Sequence, residues 1–181
     1  MSDILDNMDV LEVIKTRRSV RKYKPKAISD EDLEKILTAA QLAPSAGNKQ
    51  PWRFIVVRDT ETKEKLGEIA RNQTWISDAG VIIVALAMDK NSPEVYERWA
   101  ERDVMTAVEH MVLAAWSLGF GSCWIGAFYE DQVKKLLDIP DEMTVINLLP
   151  IGVPDQSPEA RGRKPLNELF HEGKFGEPLN L

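Results

Sequence analysis

The chain has 181 residues, 44% of them hydrophobic and 29% charged, with a net charge of −6. That mix describes one globular domain, 1–181, with a core of its own, and argues against a largely disordered chain. No apolar run reaches the ~18 residues of a membrane helix, and one cysteine with two histidines (Cys123, His110, His171) can build neither an internal disulfide nor a structural zinc site.

The opening MSDILDNMD is acidic and lacks the basic-then-apolar order of a signal peptide, so a cytoplasmic location is expected. Residues 8–16 read as a helix, because Val10, Val13 and Ile14 fall at helical spacing. A basic run follows: Lys15, Arg17, Arg18, Arg21, Lys22, Lys24 and Lys26, with no acid among them. Ser29 with Asp32 resembles a capping box, and Leu33, Ile36, Leu37 and Ala40 define the buried face of the helix it opens. Pro44 is expected to stop that helix, and PSAGNKQPW reads as a loop.

Residues 54–57 read as a strand and 60–71 as a short helix. Val81 to Ala87 is continuously apolar, the pattern of a strand buried on both faces. The longest helical pattern runs over 93–118, with Pro93 suited to its first turn. Its stripe of Val104, Val108, Met111, Val112 and Ala115 is wider than a peripheral helix needs, so the helix is expected to be central. Gly119 and Gly121 end it. A strand over 122–128, a helix over 130–137 and a strand within 143–153 complete the body. After Pro165 come one helical turn and an extended arm from about residue 171. The fold class is α+β, with a mixed or antiparallel sheet packed by helices.

Three segments carry candidate chemistry. In RRSVR, residues 17–21, two guanidinium forks and a hydroxyl match the oxygens of a phosphate monoester; a second basic knot is Arg161, Arg163 and Lys164. Two local clusters on an acidic chain suggest an anion site more than a nucleic-acid surface, although a solvated basic face fits the same residues. In the 44–54 segment, small residues allow close backbone approach to a flat ligand, and Asn48 and Gln50 could read a donor–acceptor edge; an ordinary proline-bracketed loop is the alternative. In GFGSCWIGAF, residues 119–128, Gly126 and Ala127 again permit close approach. Cys123 there could be a nucleophile, but no base lies near it in sequence, and it reads more simply as a small buried residue.

Taken in order, RRSVRKY, APSAGNKQPWRF, the glycine-containing 119–128 segment and RGRKP closely resemble the FMN-dependent nitroreductase family, from about Val10 to Leu169. The resemblance implies that Arg17, Arg18, Ser19 and Arg21 grip the FMN phosphate and reach the pyrimidine edge of the ring. It implies that Pro44, Ser45, Ala46, Asn48 and Gln50 form a loop that meets the flavin, commonly from the partner subunit. Asn72 matches a polar ring contact more loosely, Gly126 would present backbone N–H groups near flavin N5, and Arg161 and Arg163 would complete the phosphate site.

The resemblance further implies an intertwined homodimer with two interfacial flavins, for which the wide 93–118 stripe and the C-terminal arm offer material. Hydride would pass from NADH or NADPH to flavin N5, then to a small electron-poor acceptor such as a nitroaromatic or quinone, in a ping-pong cycle. No catalytic side chain and no metal is required. Trp75, Trp99, Trp124 and Phe128 are candidate walls of the substrate slot, most of them better suited to the core. A flavin-binding sensor or carrier without turnover, and a dehalogenating or flavin-modifying relative on the same fold, are the alternatives. The short chain is expected to lack helices that larger members insert around the substrate pocket.

Overall fold

The computed structural model describes residues 9–88 and 94–179, the backbone alone at 94–98. The readings of residues 1–8 and Pro93 therefore lie outside the described residues. The helices are α1 (Val10–Thr16), α2 (Asp30–Gln41), α3 (Thr60–Ile69), α4 (Glu94–Ser117), α5 (Glu130–Leu136) and α6 (Leu166–Leu169). The strands are β1 (Trp52–Val57), β2 (Val81–Ala87), β3 (Gly121–Ser122) and β4 (Thr144–Gly152), in the spatial order β1-β2-β4-β3. Every ladder is antiparallel, and β2·β4 carries an irregularity at Ala85/Leu86.

The central strand divides the core in two. All seven residues of β2 are buried, as their continuous apolarity predicts. Because strand side chains alternate, Val81, Ile83, Ala85 and Ala87 pack with α2 and α4, while Ile82, Val84 and Leu86 pack with Leu66, Ile76, Val133 and Ile125 on the other face. The α2 cap forms as read: Ser29 Oγ accepts from the Asp32 backbone N–H at 3.1 Å. That helix ends at Gln41, just before Pro44.

The stripe on α4 has a different explanation from the one the sequence suggests. Val104, Val108, Met111, Val112 and Ala115 are all buried within this chain, against α2 and the sheet. The helix is central, but its width is used internally and supplies no exposed patch. Besides Trp99 near the start of α4, large exposed apolar side chains include Val10, Leu11 and Ile14 on α1 and Leu166, Leu169, Phe170 and Phe175 near the C-terminus.

Two further segments differ from expectation. The strand expected over 122–128 pairs as a ladder only at Gly121–Ser122, then lifts away at Cys123–Trp124 and touches β4 again through an Ile125–Leu148 bridge. Gly126 and Ala127 have little side chain to pack on a pleated surface, and Trp124 turns outward. The C-terminal segment is not extended: His171 and Pro178 bridge, with the Glu172 N–H donating to the Glu177 carbonyl at 3.1 Å, so 171–178 doubles back.

The basic run is fixed along the outer sheet edge. The Val20 N–H donates to the Ser122 carbonyl at 2.9 Å in a parallel bridge, and Lys24 N–H donates to Val153 O at 2.9 Å. Val20 is fully buried, and Tyr23, also buried, donates its hydroxyl to Val20 O at 2.8 Å. The approach leaves no room at Gly121, where a Cβ would meet Val20 Cγ2 at 2.5 Å. Gly121→Ala is therefore expected to destabilise the fold by about 1–3 kcal/mol, as overpacking does. Urea unfolding checks this; an unchanged midpoint would show that the 19–24 segment is free to yield.

Candidate anion and ring site

The bonds of residues 19–24 turn Val20 inward and leave its neighbours facing a cleft. That cleft, about 130 Å³, is lined by Arg17, Arg18, Ser19, Arg21, Pro158, Glu159, Arg161 and Arg163. It joins the two basic clusters that lie at opposite ends of the sequence. A second cleft of about 240 Å³ shares Arg17, Ser19 and Arg21, and adds Glu109 and Val112 from α4 with Ser122, Cys123 and Trp124. The shared side chains make the two clefts adjoining parts of one elongated site.

Charge distinguishes the two ends. Five arginines face the first cleft with one carboxylate, Glu159. Among the described residues, none of the five takes part in an ion pair. Arg18 donates to the Lys15 and Arg17 carbonyls, both at 2.8 Å, and Arg163 to the Arg161 and Gly162 carbonyls at 3.1 and 3.2 Å. Guanidinium groups so gathered favour a multiply charged oxyanion. The second cleft mixes Trp124 and Val112 with polar atoms, a surface suited to a flat, partly polar ring.

Burial governs the titratable groups of the second cleft. It pushes the Cys123 thiol above its ordinary value, against the opposing charge of Arg21, a hydrogen bond from Ser19 and the charge of Arg17. Burial likewise raises the Glu109 carboxyl, against Arg17 and His110. Cys123 is thus a protonated thiol at neutral pH, as its reading as a small buried residue implies.

Of the residues singled out from sequence, Arg17, Arg18, Ser19, Arg21, Arg161 and Arg163 come together. Pro44, Ser45, Ala46, Asn48, Gln50, Asn72 and Gly126 line neither cleft of their own chain. Pro44, Asn48, Gln50, Asn72 and Gly126 are exposed. A Cβ at Gly126 would meet nothing within 4 Å, so no contact within the chain demands glycine there. The Gly126 segment is held from below, where Asn147 Nδ2 donates to the Ile125 carbonyl at 3.2 Å. Trp124 alone of the four aromatics lines either of these two clefts; Trp75 stacks on Tyr23 with centroids 6.2 Å apart, Phe128 packs on the core, and Trp99 lies exposed beside Arg102.

Sequence reasoning missed Glu109, Val112, Ser122, Pro158 and Glu159 as lining residues. The available signal was spacing on α4, where Glu109 and Val112 are one turn apart at the margin of the buried stripe.

Comparison with known proteins places the chain in a family. The sequence model of the nitroreductase family matches residues 14–79 and 70–153, and the chain belongs to that family. It is 43% identical over 150 residues to a provisionally named NADH dehydrogenase/NAD(P)H nitroreductase of Archaeoglobus fulgidus, covering 81% of this chain and 86% of that one. It is 31% identical over 186 residues to an NADPH-flavin oxidoreductase of Vibrio harveyi, covering 96% of this chain and 77% of the relative. The structure of the NADPH:FMN oxidoreductase from Vibrio harveyi complexed with NAD+ superposes with a TM-score of 0.86 at 28% identity, covering 94% of this chain and 79% of that one. The α+β fold read from sequence is that of these relatives.

The raised thiol pKa gives a direct expectation for reactivity. Iodoacetamide should label Cys123 slowly at pH 7 and faster only as pH climbs past the ordinary thiol range, because the thiolate is the reactive form. Following labelling against pH by mass spectrometry checks this; fast labelling at pH 7 would mean an activated thiolate.

Proposed function

We propose that this protein is an NAD(P)H-dependent FMN oxidoreductase that reduces a small electron-poor acceptor such as a nitroaromatic or a quinone. The observation that carries the reading is the convergence of Arg17, Arg18, Ser19, Arg21, Arg161 and Arg163 on one cleft that opens into a ring-sized, half-apolar one. The donor set fits FMN: cationic forks at one end for a terminal phosphate, an aromatic and aliphatic wall at the other. When bound, FMN supplies a two-electron carrier that takes hydride from NADH or NADPH and passes it on.

The chain's own residues bind and orient. Arg17, Ser19, Arg161 and Arg163 hold the phosphate. Arg21, which like Arg17 and Ser19 lines both clefts, would offer a cation to the pyrimidine edge of the bound ring and so favour the reduced, anionic cofactor. Val112 and Trp124 exclude water from one side of the ring. Cys123 stays protonated and takes no part.

The remaining contacts, from Pro44, Ser45, Ala46, Asn48 and Gln50, come from a second copy of the chain. Two features support a homodimer. The 44–50 loop lines neither of the two clefts of its own chain, and the exposed apolar residues of α1 and the C-terminal segment form material for an interface. A cytoplasmic setting fits the single thiol. Among the described residues no helix is long and apolar enough to cross a membrane.

The purified protein should release FMN on heating and oxidise NADH or NADPH in the presence of menadione or a nitrobenzene derivative. Arg17→Ala and Arg163→Ala should each weaken FMN binding by about 1.5–3 kcal/mol, the scale of a hydrogen bond to a charged group, with circular dichroism unchanged. FAD as the only flavin, or no nucleotide oxidation by the flavin-loaded protein, would contradict the proposal.

A further inference from the structure

The loop after α2 has an anchor that its sequence does not reveal. Gly47, Asn48 and Gln50 all adopt left-handed backbone angles, with φ of 55°, 55° and 50°. Two of the three are not glycine, so the conformation is costly unless its surroundings impose it. Inside the loop, Ser45 Oγ accepts from the Gln50 backbone N–H at 2.9 Å, and the Gln50 side-chain amide donates to Asn48 O and Oδ1 at 3.3 and 3.2 Å. A link to the rest of the protein is Asp103 on α4, whose Oδ2 accepts from the Ala46 backbone N–H at 3.0 Å.

Asp103 is 8% exposed, one of the few charged side chains in the core. A carboxylate in that position is tolerated when it is hydrogen-bonded, and its bond to an amide is of the stronger, charge-assisted kind. The helix that carries it is the one that places Glu109 and Val112 in the second cleft. One rigid element therefore sets both a wall of this chain's cleft and the anchor of its 45–50 loop.

We propose that Asp103 is a positioning residue, which fixes the 45–50 loop in its left-handed conformation before the cofactor arrives and so makes the loop ready to close over the flavin of a second copy. This rests on the FMN reading above. Pre-organisation of this kind raises affinity by lowering the ordering cost of binding. The carboxylate touches neither the cofactor nor the substrate in this role.

The test compares Asp103→Ala, which removes the acceptor, with Asp103→Asn, which keeps a carbonyl oxygen there, and with the milder Asp103→Ser in case the alanine form does not fold. Two readouts are taken on the full chain: hydrogen exchange of the 45–50 amides in flavin-free protein, and FMN affinity by quenching of flavin fluorescence. Asp103→Ala, or Asp103→Ser in its place, should speed exchange in the loop and weaken FMN by about tenfold, while Asp103→Asn recovers most of both. Unchanged exchange, faster exchange with unchanged FMN affinity, or an asparagine form as impaired as the alanine form would each overturn the proposal. A parent protein that binds no FMN would overturn the flavin reading and this proposal with it; a parent that binds FMN beside variants that bind it equally well overturns the proposal alone.

Discussion

Five guanidinium groups brought to one cleft repel one another, and the structure has to hold them there. Two unit charges 4 Å apart repel by about 1 kcal/mol in water and by more where water is thin. The opposing hold is the attachment of residues 19–24 to the open sheet edge. Val20 is buried beneath the Ser122 carbonyl, Tyr23 is buried beside it, and Lys24 is bonded to Val153. The contacts of Val20 and Tyr23 are uncharged and enclosed, so salt does not screen them. A bound anion would relieve the repulsion that remains, and in the proposed function that relief is the source of the cleft's affinity.

The α4 helix does several jobs because its faces are divided. Val104, Ala107, Val108, Met111 and Ala115 fasten it to α2 and the sheet. With that face fixed, the margins are placed accurately: Glu109 and Val112 towards the second cleft, and Asp103 towards the 45–50 loop. A helix buried along this stripe does not slide, so the cleft wall and the loop anchor keep their separation.

What could be read from sequence was local. Seven consecutive apolar residues have one stable home, the middle of a covered sheet, and β2 lies there; the Ser29 cap is set by residues three apart. The meeting of Arg17 with Arg163 depends on how the chain returns along β4, which no spacing records; the two basic clusters on an acidic chain hinted at an anion site, and the family resemblance joined them in one. Glu109 looks like a surface charge until the helix face is known. Reading the α4 stripe as surplus failed because α2 and the sheet both claim it. The 122–128 strand failed because a glycine, an alanine and an outward tryptophan cannot sustain a ladder that Gly121 and Ser122 begin.

The central claim is that the arginine cleft takes a phosphate tail and the adjoining cleft a ring. Titrating the flavin-free protein with FMN and with riboflavin isolates the tail, since the two differ only by the phosphate. The account expects FMN to bind at least about tenfold more tightly, the effect of even one charge-assisted hydrogen bond, with the difference shrinking as salt rises. Equal affinity for the two flavins at low salt would contradict it.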